Sequence, residues 1–486
     1  MIKHLKRLFD TWWKKMIHLH EVSPEKFVCG TVRYTPASLL ALFGWLLWGD
    51  FTMTLMESTP GLVALQLKDY NISNATMAIL MGTMGTLCNF VLNPIISSHS
   101  DRFRSRWGRR RPFLMFATPF VALFLILLPW SPDITEVLLK HSWAQRLFAL
   151  FPAAPLVIVF GVMIISFQVF NLFIATVYYY LIPDTVPEPF IGRFYGYFRV
   201  VGMTAGLIFN WFIFGYVHEH MRLIFAVFAL IYAVSFILMC WKVREGEYPS
   251  IKEAHGHWYA PVRNYLVECF GSARYWLIFL VYAAGTQWTT AGNLFKLFFY
   301  RDEIGLTETD FGRLMAVTAG ATLLFSVPFG VLVDRWGSQK SLMVGLAAGM
   351  AVTLAGFFII HGRATAFVMT ILMNLPFFLA GLAMGKWTVD MYPRAQYGQF
   401  ASAGAMVGAI GLAALSPVFG IVVDAFGNYY RLFFLAPVLF GGVALVASII
   451  LYRWYGGEPT PEAVPGPLED PAAEGNASDN MNPSLP

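Results

Sequence analysis

Charge is what this chain has little of: only 34 Lys and Arg and 29 Asp and Glu occur in 486 residues, 13% of the chain. A soluble protein carries about 25%, so the scarcity excludes a soluble globule and marks a polytopic membrane protein. Cysteine is scarce too. Cys29, Cys88, Cys240 and Cys269 are scattered, with no CxxC pair and no His/Cys cluster at metal-ligand spacing. That excludes a disulfide scaffold and predicts inert thiols. The sequence also lacks a nucleotide-binding loop, an HExxH and a Ser/His/Asp order, so a membrane enzyme has no support and neither metal nor cofactor is expected. His218, Glu219 and His220 form an HEH without an identifiable third ligand. Polar–apolar alternation is missing, which excludes an outer-membrane barrel. No cleavable signal peptide is visible, because the first apolar run begins near Ala37, too far in for one. The first helix is therefore expected to be a retained span.

What is present is apolar side chain, 57% of the residues, gathered in twelve runs long enough to cross a bilayer as helices. Six lie within 36–241, a polar linker covers 242–274, and six more lie within 275–456. The expected fold class is an all-α membrane protein of two six-helix halves. Residues 1–35 open with Lys3, Lys6, Arg7, Lys14 and Lys15 beside Trp12 and Trp13, which reads as a cytoplasmic interfacial amphipathic helix or a basic tail. Residues 457–486 are acidic and Pro-rich, without Lys or Arg, and are expected to be disordered. Lys and Arg favour one set of alternate loops by about 24 to 7, so both termini are expected in the cytoplasm. The net charge of +5 thus reflects topology, and no nucleic-acid partner follows from it. A monomer in the lipid bilayer of a cell inner membrane is the expected setting.

The two halves repeat. The loop after the second span reads SDRFRSRWGRRRP and that after the eighth reads VDRWGSQKS. After the fourth span, Asp184, Pro187, Gly192 and Phe194 match Asp390, Pro393, Gly398 and Phe400 after the tenth in residue type and spacing. Between these motifs the first half spends 83 residues and the second 56, and the surplus fits an outer loop where LLKHSWAQRLFAL would form a surface helix. Two such halves with DR-(x)-G loops resemble the major facilitator superfamily. The string SDRFRSRWGRRRPF, with Phe43, Gly44 and Trp45 in the first span and Asn171 in the fourth, is similar to sucrose–proton symporters and the glycoside-pentoside-hexuronide cation symporters. That resemblance implies symport of a sugar or glycoside with a cation, H⁺ or Na⁺. It also points to a cytoplasmic gate comprising Asp101, Arg102, Gly108, Arg109, Asp184 and Arg193, with Asp334, Arg335 and Asp390 in the second half. Asp101, Arg109 and Asp334 are read as a latch across the seam between halves, and Arg104, Arg106 and Arg110 as positive-inside anchors.

One departure stands out. Sucrose symporters carry in the fourth helix an Asp, an Asn and then an Arg; here Gln168, Asn171 and Tyr179 occupy those places. Coupling has moved, or the substrate differs, or the chain is a uniporter or a transporter-like sensor. The first span supplies carboxylates instead: Asp50 near its middle and Glu57 two turns on, on the same face. Charge inside a membrane costs at least about 2.5 to 3.5 kcal/mol and marks function by default. Desolvation favours a neutral carboxyl group, which suits a reversible proton carrier, and both carboxylates are expected to look into a central cavity lined by helices one, four, seven and ten. Substrate contacts are expected from Trp45 and Trp48, from Gln168, Asn171 and Tyr179, from Gln287, Trp288 and Asn293, and from Asn374. Lys386 and Asp390 are spaced as a local ion pair. Lys296 is expected to snorkel; were it or Arg313 in the cavity, an anionic substrate would be favoured over a neutral sugar.

Overall fold

Hydrocarbon offers no hydrogen-bond partner, so each apolar run must satisfy its own backbone and folds as a helix. A computed structural model describes residues 27–246, 260–290, 293–393 and 397–455. The expected N-terminal amphipathic helix, the centre of the linker and the acidic tail lie outside the described residues, as do the side chains of Asp101, Arg102 and Arg193. The spanning helices of the first half are α1 (Pro36–Glu57), α2 (74–102), α3 (Arg111–Leu127), α4 (Pro155–Thr185), α5 (188–216) and α6 (Val217–Lys242). Those of the second are α7 (273–290 and 293–303), α8 (Glu308–Trp336), α9 (Ser338–Ile359), α10 (Arg363–Met391), α11 (Tyr397–Ala425) and α12 (430–455).

The extra length between α3 and α4 folds into two short helices, Ser131–Leu139 and Ser142–Phe148, where a surface helix was expected. One boundary differs. The apolar run of the fifth span begins near residue 194, whereas α5 begins at Glu188. Pro187 and Pro189 start it, since proline suits the first turn of a helix. Arg199 lies on this helix.

Two helix pairs carry most of the contact between the halves. The start of α2 packs on α11, and α5 packs on α8, contacts that the repeat makes equivalent. Glycine permits the close approach: a side chain on Gly420 of α11 would fall 2.7 Å from the Ala75 Cα of α2, and one on Gly312 of α8 would meet the Asn210 carbonyl of α5. Both contacts lie at the ends of α5 and α11 and the starts of α2 and α8, the face opposite the one bearing the Asp-Arg motifs. There, Asp424 accepts hydrogen bonds from the backbone N–H groups of Asn74 (3.1 Å) and Ala75 (3.0 Å) and from the Asn74 amide (2.7 Å). A carboxylate of one half thus caps the helix N-terminus of the other, the end that attracts negative charge.

On the motif face, ion pairs lie within each half. Arg109 donates to Asp184 at 2.9 and 2.5 Å, and Arg110 joins it at 3.0 Å. Lys386 donates to Asp334 at 2.7 Å, while Asp390 accepts from Ser338 at 2.5 Å. One expectation is thereby corrected: Lys386 donates to the Asp-Arg motif after α8 and not to its neighbour Asp390. In this conformation, with the halves closed on the opposite face, Arg109 pairs with Asp184 and Asp334 with Lys386, each within its own half. Arg335 is exposed at the end of α8.

Candidate functional site

A cavity of about 1200 Å³ lies between the halves, somewhat larger than the roughly 300–1,000 Å³ of small-molecule sites. It extends from the closed seam toward Ser402, near the start of α11. Its walls come mainly from α2, α5, α7, α8 and α11; α1 contributes Glu57, α4 contributes Tyr180 and α10 contributes Asn374. Of the expected helices one, four, seven and ten, the seventh is a main wall and the other three contribute one residue each. π-helical turns interrupt α2 at Ile79–Thr83 and α5 at Phe209–Ile213, and Met81, Gly82, Phe209 and Asn210 of those turns line the cavity. Such turns concentrate where function needs an irregular wall.

Three of the expected substrate residues line this space: Gln287, Asn293 and Asn374. Gln287 donates from Nε2 to the Gly408 carbonyl at 3.0 Å, and its buried Oε1 has no partner among the described residues. Asn374 donates to Thr322 Oγ1 at 2.6 Å, which fixes its amide. Asn293 is exposed. These groups offer what a hydroxylated solute needs, donors and acceptors on a cavity wall that also carries Asn89, Asn93 and Asn210.

The others are elsewhere. Asn171 accepts from Tyr232 of α6 at 3.1 Å, inside the first half. Gln168 donates to the Leu80 carbonyl at 3.3 Å, with Gly85 leaving room for it. Both amides are turned toward neighbours of their own half. Trp288 is buried against Phe377, ring centroids 4.2 Å apart, and against Gly349 and Gly441; it is a packing residue of the second half. Trp48 is exposed and stacks on Phe51, Trp45 is half-buried against the core, and Tyr179 is exposed beside Phe198.

The two carboxylates of α1 part company. Glu57 lines the cavity, but Asp50 does not. Asp50 is buried, and its Oδ2 has no hydrogen-bond partner among the described residues. It faces α5, where a side chain on Gly202 would fall 3.3 Å from that oxygen. Asp50 and Glu57 share one charged neighbour, Arg199, whose electrostatic influence reaches both, and Tyr179 lies within reach of the same pair. Arg199 is the functional candidate that sequence reasoning missed. Its signal was present in a cation ten residues beyond Pro189, the second of the two prolines that start α5. Lys296 lines the cavity too, whereas Arg313 is exposed and stands outside it. Among the described residues, no group of three His, Cys, Asp or Glu side chains could hold a metal ion.

Comparison with known proteins decides the family. Residues 49–436, well over half of the chain, match the family described as MFS/sugar transport protein. The chain belongs to that family. It is an integral multi-pass membrane transporter and not an enzyme. A 63-residue stretch of the transporter, 12% of its length, is 41% identical to 11% of a general alpha-glucoside permease of Schizosaccharomyces pombe. Another match, 33% identical over 54 residues, covers 11% of the transporter and 10% of Sucrose transport protein SUT1 of Oryza sativa subsp. japonica. The transporter thus spans only about a tenth of the length of these curated relatives. Among solved structures, a bacterial homologue of the human lysosomal transporter Spinster, inward-facing and unoccupied, matches with a TM-score of 0.63 at 14% identity, covering 88% of the transporter and all of that chain. A D-xylose–proton symporter matches with a TM-score of 0.59 at 14% identity, over 87% and 99%. At such identity these two share the fold alone.

Proposed function

We propose that this chain carries a sugar or glycoside across a cell inner membrane together with a proton, by rocking its two halves about the central cavity, with both termini in the cytoplasm. The observation that carries the reading is the cavity itself: Glu57 shares its wall with the amides Gln287, Asn293 and Asn374, so a proton carrier and a hydroxyl-binding surface meet in one space. The relatives named for alpha-glucosides and sucrose support the same substrate class. Asp50 and Arg199 support the coupling. The carboxylate and guanidinium that sucrose symporters hold on the fourth helix are replaced by a pair divided between α1 and α5, so coupling has moved rather than vanished.

In the cycle that follows, proton and glycoside bind together, the open face closes, and both leave on the other side. Reconstitution in liposomes tests it. Labelled sucrose and a small disaccharide and glycoside panel are offered with an inward proton gradient and with that gradient collapsed. Uptake that falls on collapse, and an Asp50→Asn variant that exchanges substrate but no longer concentrates it, are the expected outcomes. Uptake of glycoside indifferent to the gradient would make the protein a uniporter, and binding without flux would make it a sensor.

A further inference from the structure

Lys296 sits on the part of α7 that follows residues 291–292, on Asn293–Phe298, and lines the cavity. Its neighbours Phe295, Leu297 and Phe298 are buried, so the side chain is not a surface lysine reaching for the interface. It forms no hydrogen bond or ion pair with any described residue, and no described carboxylate acts on it electrostatically. A cation inside a membrane is costly unless a partner meets it, and such residues mark substrate paths. Glu57 is the one other Asp, Glu, Lys or Arg among the described lining residues, with Tyr180 and Tyr282 as the remaining titratable groups there. With Glu57 protonated, the empty cavity holds one uncompensated positive charge.

Resting on the glycoside-transport reading above, we infer that Lys296 is the counter-ion for a carboxylate on the substrate, and that the solute carried is a glycoside or sugar acid bearing one such group. The hydroxyls of that solute meet Gln287, Asn293 and Asn374, and its carboxylate meets the Lys296 ammonium in a charge-assisted hydrogen bond. A proton on Glu57 and a monoanion beside Lys296 leave the loaded cavity without net charge, so the pair crosses together more readily than either does alone. A phosphate ester fits less well. It brings close to two negative charges, and the cavity offers a single ammonium and no guanidinium fork.

Two probes that differ only at C6, phenyl β-glucuronide and phenyl β-glucoside, separate the outcomes in proteoliposomes of the full chain. The glucuronide is expected to show the lower KM, by between about ten- and a hundredfold. At a fixed proton gradient its uptake is expected to be unmoved by an imposed membrane potential. Lys296→Gln is expected to bring the ratio of the two KM values to about one, and Lys296→Arg to keep the preference, which shows that charge and not folding is read. Uptake of the glucoside with exclusion of the glucuronide overturns the inference while leaving glycoside transport standing. A Lys296→Gln variant that weakens both probes alike, with their ratio unchanged, overturns it as well and makes Lys296 a structural cation. Transport of neither probe nor any neutral sugar by monodisperse protein overturns both readings together.

Discussion

Single residues in this protein separate by what their neighbours allow. Trp288 touches Phe377, Gly349 and Gly441 and is fully enclosed, so its truncation leaves a large void. Trp288→Ala is expected to cost about 3–5 kcal/mol, read as a fall in the thermal unfolding midpoint in detergent, whereas Trp48→Ala, on an exposed ring, is expected to leave that midpoint nearly unchanged. Equal midpoints for the two variants would show that Trp288 does not pack as described. Gly202 makes a sharper case. A methyl there would sit 3.3 Å from Asp50 Oδ2 and 3.2 Å from Thr54 Oγ1, tight but adjustable, while the branched side chain of Gly202→Val has nowhere to go. That variant is expected to abolish gradient-driven uptake, and retention of full uptake would separate Asp50 from the α1–α5 contact. From the sequence, Asp50 and Glu57 stood out because carboxylates in an apolar run are rare. Their different destinations did not, because both lie on one face of α1 and only packing against α5 distinguishes them.

At the scale of the element, the string RWGRRRP explains itself. Glu245, beyond the end of α6, accepts hydrogen bonds from the consecutive backbone N–H groups of Arg109 (2.8 Å), Arg110 (3.0 Å) and Arg111 (2.8 Å). These are orphan donors at the start of α3, and the carboxylate meets the positive end of the helix dipole. The chain turns into this cap at Gly108, whose φ is +103° and where a side chain would strike the Glu245 carboxylate. Gly108→Ala is expected to lose at least about 1–2 kcal/mol from the backbone alone, and Glu245→Ala about 1.5–3 kcal/mol from the charged hydrogen bonds. Thermal unfolding measures both, and an undisturbed midpoint in Glu245→Ala would mean that water replaces the cap. Helix positions and the twofold repeat were legible in the sequence because the bilayer fixes the length and polarity of each run. Helix faces were not. The fourth span is apolar all round, so no stripe shows that Gln168 and Asn171 turn toward α2 and α6, and the polar Tyr232 that receives Asn171 lies 61 residues away in the chain.

For the whole molecule, the consequence is a seam fastened at one face. Asp424 of the second half caps α2 of the first, Asn74 also donates to Asn428 at 2.6 Å, and Tyr430 donates to Asn74 at 3.2 Å. The repeat equivalent of this contact, α5 on α8, rests on Gly312 and on Gly215 beside Thr309, and the Glu308 carboxylate of α8 faces the backbone N–H of His218 at the start of α6. The halves are therefore held together on this face by small-residue packing and a carboxylate contact on each side of the pseudo-symmetry, the closest set of hydrogen bonds being the Asp424 cap. In the alternating-access cycle proposed above, this cap is released whenever this face opens, so its strength sets how the two conformations are populated. Removing the Asp424 carboxylate withdraws hydrogen bonds worth about 1.5–3 kcal/mol, which shifts a two-state equilibrium by between about ten- and a hundredfold. Spin labels at Tyr70 and Phe426, both exposed at this face, report the outcome. A single short distance is expected in the unaltered protein, and a second, longer population is expected in Asp424→Ala. An unchanged distance distribution would mean that the packing of α5 on α8 and of α2 on α11 closes this face without the cap.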